Sequence, residues 1–212
     1  MKTAMDKMYD IRKQFFDDHA EKWLETWYKD PVSRQLDKHH ADFERLFSLL
    51  QLAPGDQVLD AGCGAGVLVP YILERITEVG TLFELDFAEK MLEANRSRHS
   101  QENIRFVVAD VEQAPLDQAS CDAVICFSCF PHFYDKQGAL IRLRETLKPG
   151  GKLCIAHFGS AAEINDHHAK HEAVSHDHLP GENEMRQMIK QAGLQIELFM
   201  DEPGFYCILA RR

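Results

Sequence analysis

Short apolar runs alternate with amphipathic segments through most of this 212-residue chain, and that alternation predicts a parallel sheet with crossover helices. The runs predict strands at 58–61, 81–86, 104–109, 123–127, 153–158, 195–200 and 205–210. Helical periodicity between them predicts helices at about 67–77, 88–99, 136–147 and 182–192. Only Asp201-Glu202-Pro203-Gly204 separates the last two runs, too little for a parallel crossover but right for a hairpin, so the sheet should end antiparallel. Ahead of the sheet, Met8, Ile11, Phe15, Phe16, Trp23, Leu24 and Trp27 recur at three- and four-residue steps, Pro31 interrupts, and the pattern resumes over 36–50. The expectation is a Rossmann-like α/β three-layer sandwich over 53–212. Its sheet is seven-stranded and mostly parallel, and a helical cover over 1–52 precedes it.

The first strand runs straight into a glycine turn, Val58-Leu59-Asp60-Ala61-Gly62-Cys63-Gly64-Ala65-Gly66. Glycines at alternate positions let the backbone bend sharply and come close to a ligand, and the helix that follows offers free N–H groups. The spacing is G-x-G-x-G, whereas a dinucleotide fingerprint places its third glycine one residue later. Asp60, just before the turn, would repel a pyrophosphate and attract an ammonium or sulfonium group, so the charge favours a cationic ligand.

This stretch resembles motif I of the class I S-adenosylmethionine-dependent methyltransferases, in the type 11 group of small-molecule enzymes, and the rest of the chain follows the same order. An acid closes the second strand about 20 residues after the loop, where a carboxylate can take both ribose hydroxyls. Asp86 matches the family register better than Glu84, its neighbour on the same face. The resemblance implies that Gly62, Cys63, Gly64 and Gly66 form the cofactor loop, that Phe87 and Met91 flank the adenine, and that Asp110 with the Val111 N–H reads its edge. It also implies that Phe127 and the segment after it line the methyl's exit, and that Leu147-Lys148-Pro149-Gly150-Gly151 is the turn before strand five. In the cover, Phe16-Asp17-Asp18-His19-Ala20-Glu21-Lys22-Trp23 resembles the F-D-x-x-A-x-x-W stretch of relatives, in which Phe16, His19 and Trp23 would wall the site.

Methyl transfer releases a neutral thioether, which leaves the protein to align the reactants, exclude water and remove any proton from the nucleophile. His132, in Phe127-Ser128-Cys129-Phe130-Pro131-His132-Phe133, is the candidate base, with packing under the cofactor as its alternative; Cys129 is a weaker candidate as nucleophile or soft ligand. That segment lacks the Asn/Asp-Pro-Pro-Tyr sequence of base methylation. A net charge of -10 also opposes a nucleic-acid substrate. No apolar run approaches the roughly 20 residues of a membrane span and the opening has no hydrophobic signal core, so a cytoplasmic protein without a membrane partner is expected. Its six cysteines are expected to be buried, reduced thiols.

Six of the eleven histidines fall within 157–178. On a helix His167 and His171 share a face, as do His168 and His171, and His176-x-His178 in an extended turn can face back. Such imidazoles suit zinc or nickel, with His167, His171, His176 and His178 as the set; a solvated or substrate-touching lid and a pH-sensing cluster are the alternatives. Methyl transfer from S-adenosylmethionine to a small molecule is the leading expectation. Its rivals are a metal- or metalloid-sensing protein on the same fold and a nicotinamide dehydrogenase on a related sheet.

Overall fold

A computed structural model describes residues 4–212, with side chains from Tyr9 onward. The first residues of the expected cover, 1–3, and the Met8 side chain of its stripe lie outside the described residues. The helices are α1 (Ala4–His19), α2 (Trp23–Tyr28), α3 (His40–Leu50), α4 (Val69–Ile76), α5 (Glu89–Arg98), α6 (Lys136–Thr146), α7 (Ala161–Ala169) and α8 (Glu182–Gln191). The strands are β1 (Gln57–Ala61), β2 (Thr81–Asp86), β3 (Ile104–Val108), β4 (Cys121–Phe127), β5 (Leu147–His157), β6 (Gln195–Glu202) and β7 (Phe205–Arg211).

They form one seven-stranded sheet in the order β3-β2-β1-β4-β5-β7-β6. Pairing is parallel from β3 through β5, and β7 runs antiparallel to both β5 and β6. Each expected strand and crossover helix is present within a few residues. The final hairpin turns at Pro203 and Gly204, and the latter takes φ +78°, where a side chain would be strained. Among the described residues no helix is long and apolar enough to cross a membrane.

Three local features depart from the pattern. Leu147 already pairs with Cys121, then the register breaks and resumes at Ala123 with Lys152, so the Lys-Pro-Gly-Gly stretch is a bulge inside β5 instead of a separate turn. The cover has three helical pieces instead of two, because a 3-10 turn at Ala20–Lys22 separates α1 from α2, and its last helix begins only at His40. The histidine-rich segment starts as a helix: Ser160 and Glu163 form a reciprocal capping box at the start of α7.

Alternation along the strands divides the core between the two sheet faces. Val58, Leu82, Ile125 and Phe127 point to one face with α3, while Leu59, Leu85, Val124 and Ile155 point to the other with α6 and α8. Phe43 of α3 is fully buried against the rings of Tyr71, Phe158 and Phe127, at 4.7, 4.7 and 5.3 Å between centroids. This part of the cover therefore belongs to the same core as the sheet. All six cysteines are free and buried, as expected. Phe43→Ala should cost about 3–5 kcal/mol in a single cooperative thermal transition. A loss below about 1 kcal/mol, far under the usual phenylalanine truncation, would instead make α3 a detachable appendage.

Candidate active site

The chain leaves β1 through the glycine turn, and β2 holds that turn in place. The N–H groups of Gly62 and Cys63 donate to the Leu85 carbonyl at 2.7 and 3.0 Å, and the Gly64 N–H donates to Asp86 Oδ2 at 2.8 Å. Gly62 has φ +77°, and a Cβ there would lie 2.6 Å from the Cβ of Cys129. Gly66 has φ +84°, and a Cβ there would lie 2.3 Å from Asn95 Oδ1. Both positions therefore require glycine for conformation and for space.

A cavity opens at the carboxyl ends of β1, β2 and β4, and the space within it and its open mouth comes to about 930 Å³. Asp60, Gly62, Cys63, Gly64, Asp86, Phe87, Met91, Asp110, Val111 and Phe127 line it together with His132. Gly66, expected with them, sits behind the loop against Asn95 instead of on the cavity wall. The cover supplies the opposite wall through Tyr9, Phe16, Trp23, Leu24 and Tyr28. Phe16 is central there, with ring centroids 5.9 Å from Phe87, 5.5 Å from Trp23 and 5.4 Å from His132. His19 is not part of this wall: it is exposed, with Nδ1 2.7 Å from the Phe15 carbonyl of its own helix.

Three buried acids sit under the cavity, each in a different situation. Glu84, paired in register with Asp60, accepts a hydrogen bond from the Asn95 amide and lies outside the cavity lining. Burial pushes its carboxyl up to about 8, against the opposing effect of that bond. Asp86 lines the cavity, and its two oxygens accept from the Gly64 and Ala88 N–H groups at 2.8 Å each. Burial raises it to about 6 even so. Asp60 has no partner on either oxygen, and burial, then the adjacent Glu84, raise it well above the usual carboxylate range. Asp110 caps the 3-10 turn Val111–Gln113, accepting from the Glu112 N–H at 3.0 Å.

On the opposite side, the 3-10 turn Phe130–His132 carries His132 into the cavity wall. Its Nδ1–H donates to Asp177 Oδ2 at 2.7 Å. Arg12 of α1 donates through Nη2 to the other oxygen of Asp177 and through Nη1 to the His132 carbonyl at 2.9 Å. Burial alone would raise the Asp177 carboxyl, but the bond from His132 and the charge of Arg12 outweigh it and hold the group below the usual range. Deeper in the fold, burial beside His132 and His168 pushes His157 down to about 3, so that imidazole stays neutral.

Arg12 and Asp177 did not stand out in the sequence. Arg12 lies four residues before Phe16 on the inward helical face, and a lone cation at that step was the available signal. Asp177 is the single acid between His176 and His178. Cys129 is no nucleophile in this setting: its thiol donates to the Ala61 carbonyl at 2.9 Å, and burial raises it well above the ordinary thiol value.

The proposed metal set is not brought together. His167 and His171 do meet, with ring centroids 4.5 Å apart, but both are exposed, as are His176 and His178. Among the described residues no three His, Cys, Asp or Glu side chains converge as a metal site. The cause is local: α7 stops at Ala169, His171 precedes a 3-10 turn at Glu172–Val174, and His176 and His178 lie exposed beyond that turn. His168, outside that set, turns inward, with its ring 4.9 Å from His132.

Residues 59–155 match the sequence profile of a methyltransferase domain. The chain is 35% identical to malonyl-[acyl-carrier protein] O-methyltransferase of Serratia marcescens over 127 residues, covering 58% of this chain and 47% of that protein. The namesake from Acetivibrio thermocellus is 35% identical over 102 residues, covering 48% of this chain and 35% of that protein. The chain thus spans less than half the length of these curated relatives. A crystal structure of an S-adenosylmethionine-dependent methyltransferase from Aquifex aeolicus superposes with a TM-score of 0.71 at 19% identity, covering 90% of this chain and 97% of that one. The Burkholderia thailandensis 1,6-didemethyltoxoflavin-N1-methyltransferase, solved with bound 1,6-didemethyltoxoflavin and S-adenosylhomocysteine, gives a TM-score of 0.71 at 19% identity, covering 100% of this chain and 92% of that one. The domain profile and these relatives agree with the glycine turn and its flanking acids: residues 59–155 carry a methyltransferase domain, on a fold shared with S-adenosylmethionine-dependent methyltransferases.

Proposed function

We propose that this protein transfers the methyl group of S-adenosylmethionine directly to a small-molecule acceptor. The observation that carries this reading is Asp60, a buried carboxylate at the cavity floor with neither oxygen partnered by the chain. A cation above it offsets that cost, whereas a pyrophosphate adds to it. Asp86 supports the same reading, since each of its oxygens keeps a lone pair for a ribose hydroxyl beyond its backbone donor. Phe87 and Met91 suit the faces of the adenine, and Asp110 with the Val111 N–H suits its edge. Gly62, Cys63 and Gly64 carry the rest of the contact surface, and Gly66 acts from behind through packing.

The bound sulfonium supplies an electrophilic methyl whose sulfur leaves uncharged, so the chain's own tasks are alignment, water exclusion and proton removal. The ring wall of Phe16, Trp23 and Tyr28 excludes water. His132, bonded through Nδ1–H, keeps Nε2 to receive a proton from the acceptor. A small acceptor agrees with the name of the Burkholderia thailandensis 1,6-didemethyltoxoflavin-N1-methyltransferase and with the net charge of -10, which disfavours a polyanion. Its acceptor atom is left open among oxygen, nitrogen, sulfur and carbon.

Calorimetry with S-adenosylhomocysteine, and with NAD as control, tests the cofactor. Tight binding of NAD with none of S-adenosylhomocysteine would refute the reading. Asp86→Ala should weaken S-adenosylhomocysteine by about ten- to a hundredfold, the loss of about 1.5–3 kcal/mol for a charge-assisted hydrogen bond. Because Asp86 titrates near 6 and only the ionised form accepts from both hydroxyls, the affinity of the wild-type protein should be full above that pH and fall as pH drops through it. A flat profile would remove Asp86 from ribose binding. His132→Ala should lower turnover by about 10²- to 10⁴-fold while leaving S-adenosylhomocysteine affinity intact; unchanged turnover would remove His132 from proton transfer.

A further inference from the structure

The histidine-rich segment gathers no metal site among the described residues, yet it delivers one buried acid, Asp177, directly to His132. That acid is 5% exposed and is held from every side. His168 of α7 donates from Nδ1 to the Asp177 backbone carbonyl at 2.8 Å, which fixes the main chain carrying the carboxylate. Asn165, also on α7, bonds the Leu179 backbone in both directions, accepting from its N–H at 2.7 Å and donating to its carbonyl at 3.0 Å. Arg12 arrives from the cover, and its two terminal nitrogens divide between the carboxylate and the His132 carbonyl. One guanidinium thus holds both the histidine and its acid.

We propose that Asp177, clamped by Arg12, is the positioning residue that fixes His132 in the tautomer able to accept a proton. This rests on the reading of His132 as the proton acceptor. A carboxylate can only accept, so Nδ1 must carry the hydrogen and Nε2 the lone pair. The clamp adds a specific consequence. A guanidinium can only donate, so the Asp177 atom facing Arg12 must be an acceptor. In Asp177→Asn the amide oxygen therefore stays on Arg12 and the amide NH₂ turns to His132. Nδ1 must then accept, Nε2 takes the hydrogen, and the ring can no longer receive a proton from an acceptor. With Arg12→Gln added, the constraint on the amide is gone, and its oxygen is free to return to His132.

Nitrogen-15 spectra of histidine-labelled protein, saturated with S-adenosylhomocysteine at about pH 8 where an ordinary imidazole is neutral, read this directly. The His132 signal is identified by its loss in His132→Asn. The wild-type protein should show a protonated Nδ1 and an unprotonated Nε2; Asp177→Asn should exchange the two, and the double variant with Arg12→Gln should restore part of the wild-type pattern. Turnover should fall in Asp177→Asn with S-adenosylhomocysteine affinity unchanged, a split that loss of folding would not produce. A wild-type His132 protonated at Nε2, or an Asp177→Asn protein that keeps the hydrogen on Nδ1, would overturn the proposal. Failure of the wild-type protein to bind S-adenosylhomocysteine would instead count against the proposed function.

Discussion

Burying carboxylates toward the carboxyl ends of β1 and β2 is the constraint from which the site follows. Each charge removed from water costs several kcal/mol unless something replaces its hydration. Glu84 is served by the Asn95 amide, and Asp86 by two backbone N–H groups that also pin the glycine turn to β2. Asp60 is served by nothing in the chain. The cation of the proposed cofactor supplies the partner that Asp60 lacks, and the tether from Asp86 already shapes the loop that would receive it. The glycines are consequences of that closeness: Gly62 leaves room for Cys129, and Gly66 for Asn95, the partner of Glu84.

The second half of the site is organised by a different economy of charge. Arg12, Asp177 and His132 come from the cover, the histidine-rich segment and the turn after β4, and they join at short hydrogen-bond distances in a largely buried place. Phe16 connects the two halves, its ring lying against that of Phe87 beside the glycine turn and that of His132. The cavity between them sets aromatic walls against Asp60, Asp86, Asp110, Arg12 and His132.

Legibility followed the range of the interactions. The strands, the crossover helices, the closing hairpin and the glycine turn are set by local periodicity and turn chemistry, and could be read residue by residue. The choice of Asp86 over Glu84 rested on family register; Asp86 lines the cavity and Glu84 does not. The Arg12–Asp177 pair, 165 positions apart, leaves no local pattern beyond one cation on an apolar face. Histidine spacing suggested a metal set by pairing a helical face at His167 and His171 with an extended turn at His176 and His178; where α7 actually ends decides which imidazoles turn inward, and His168 does so in place of the expected group. The bulge at Lys148-Pro149-Gly150-Gly151 was hidden for a similar reason, since its residues read as a turn while strand pairing on either side carries them into β5.

A crystal structure of the complex with S-adenosylhomocysteine tests the central claim most directly. The account requires the ribose hydroxyls within hydrogen-bonding distance of the Asp86 carboxylate, the amino-acid end and sulfur over Asp60, and the open side of the sulfur facing His132. Adenosine lodged away from the glycine turn, or a ribose turned from Asp86, would contradict it.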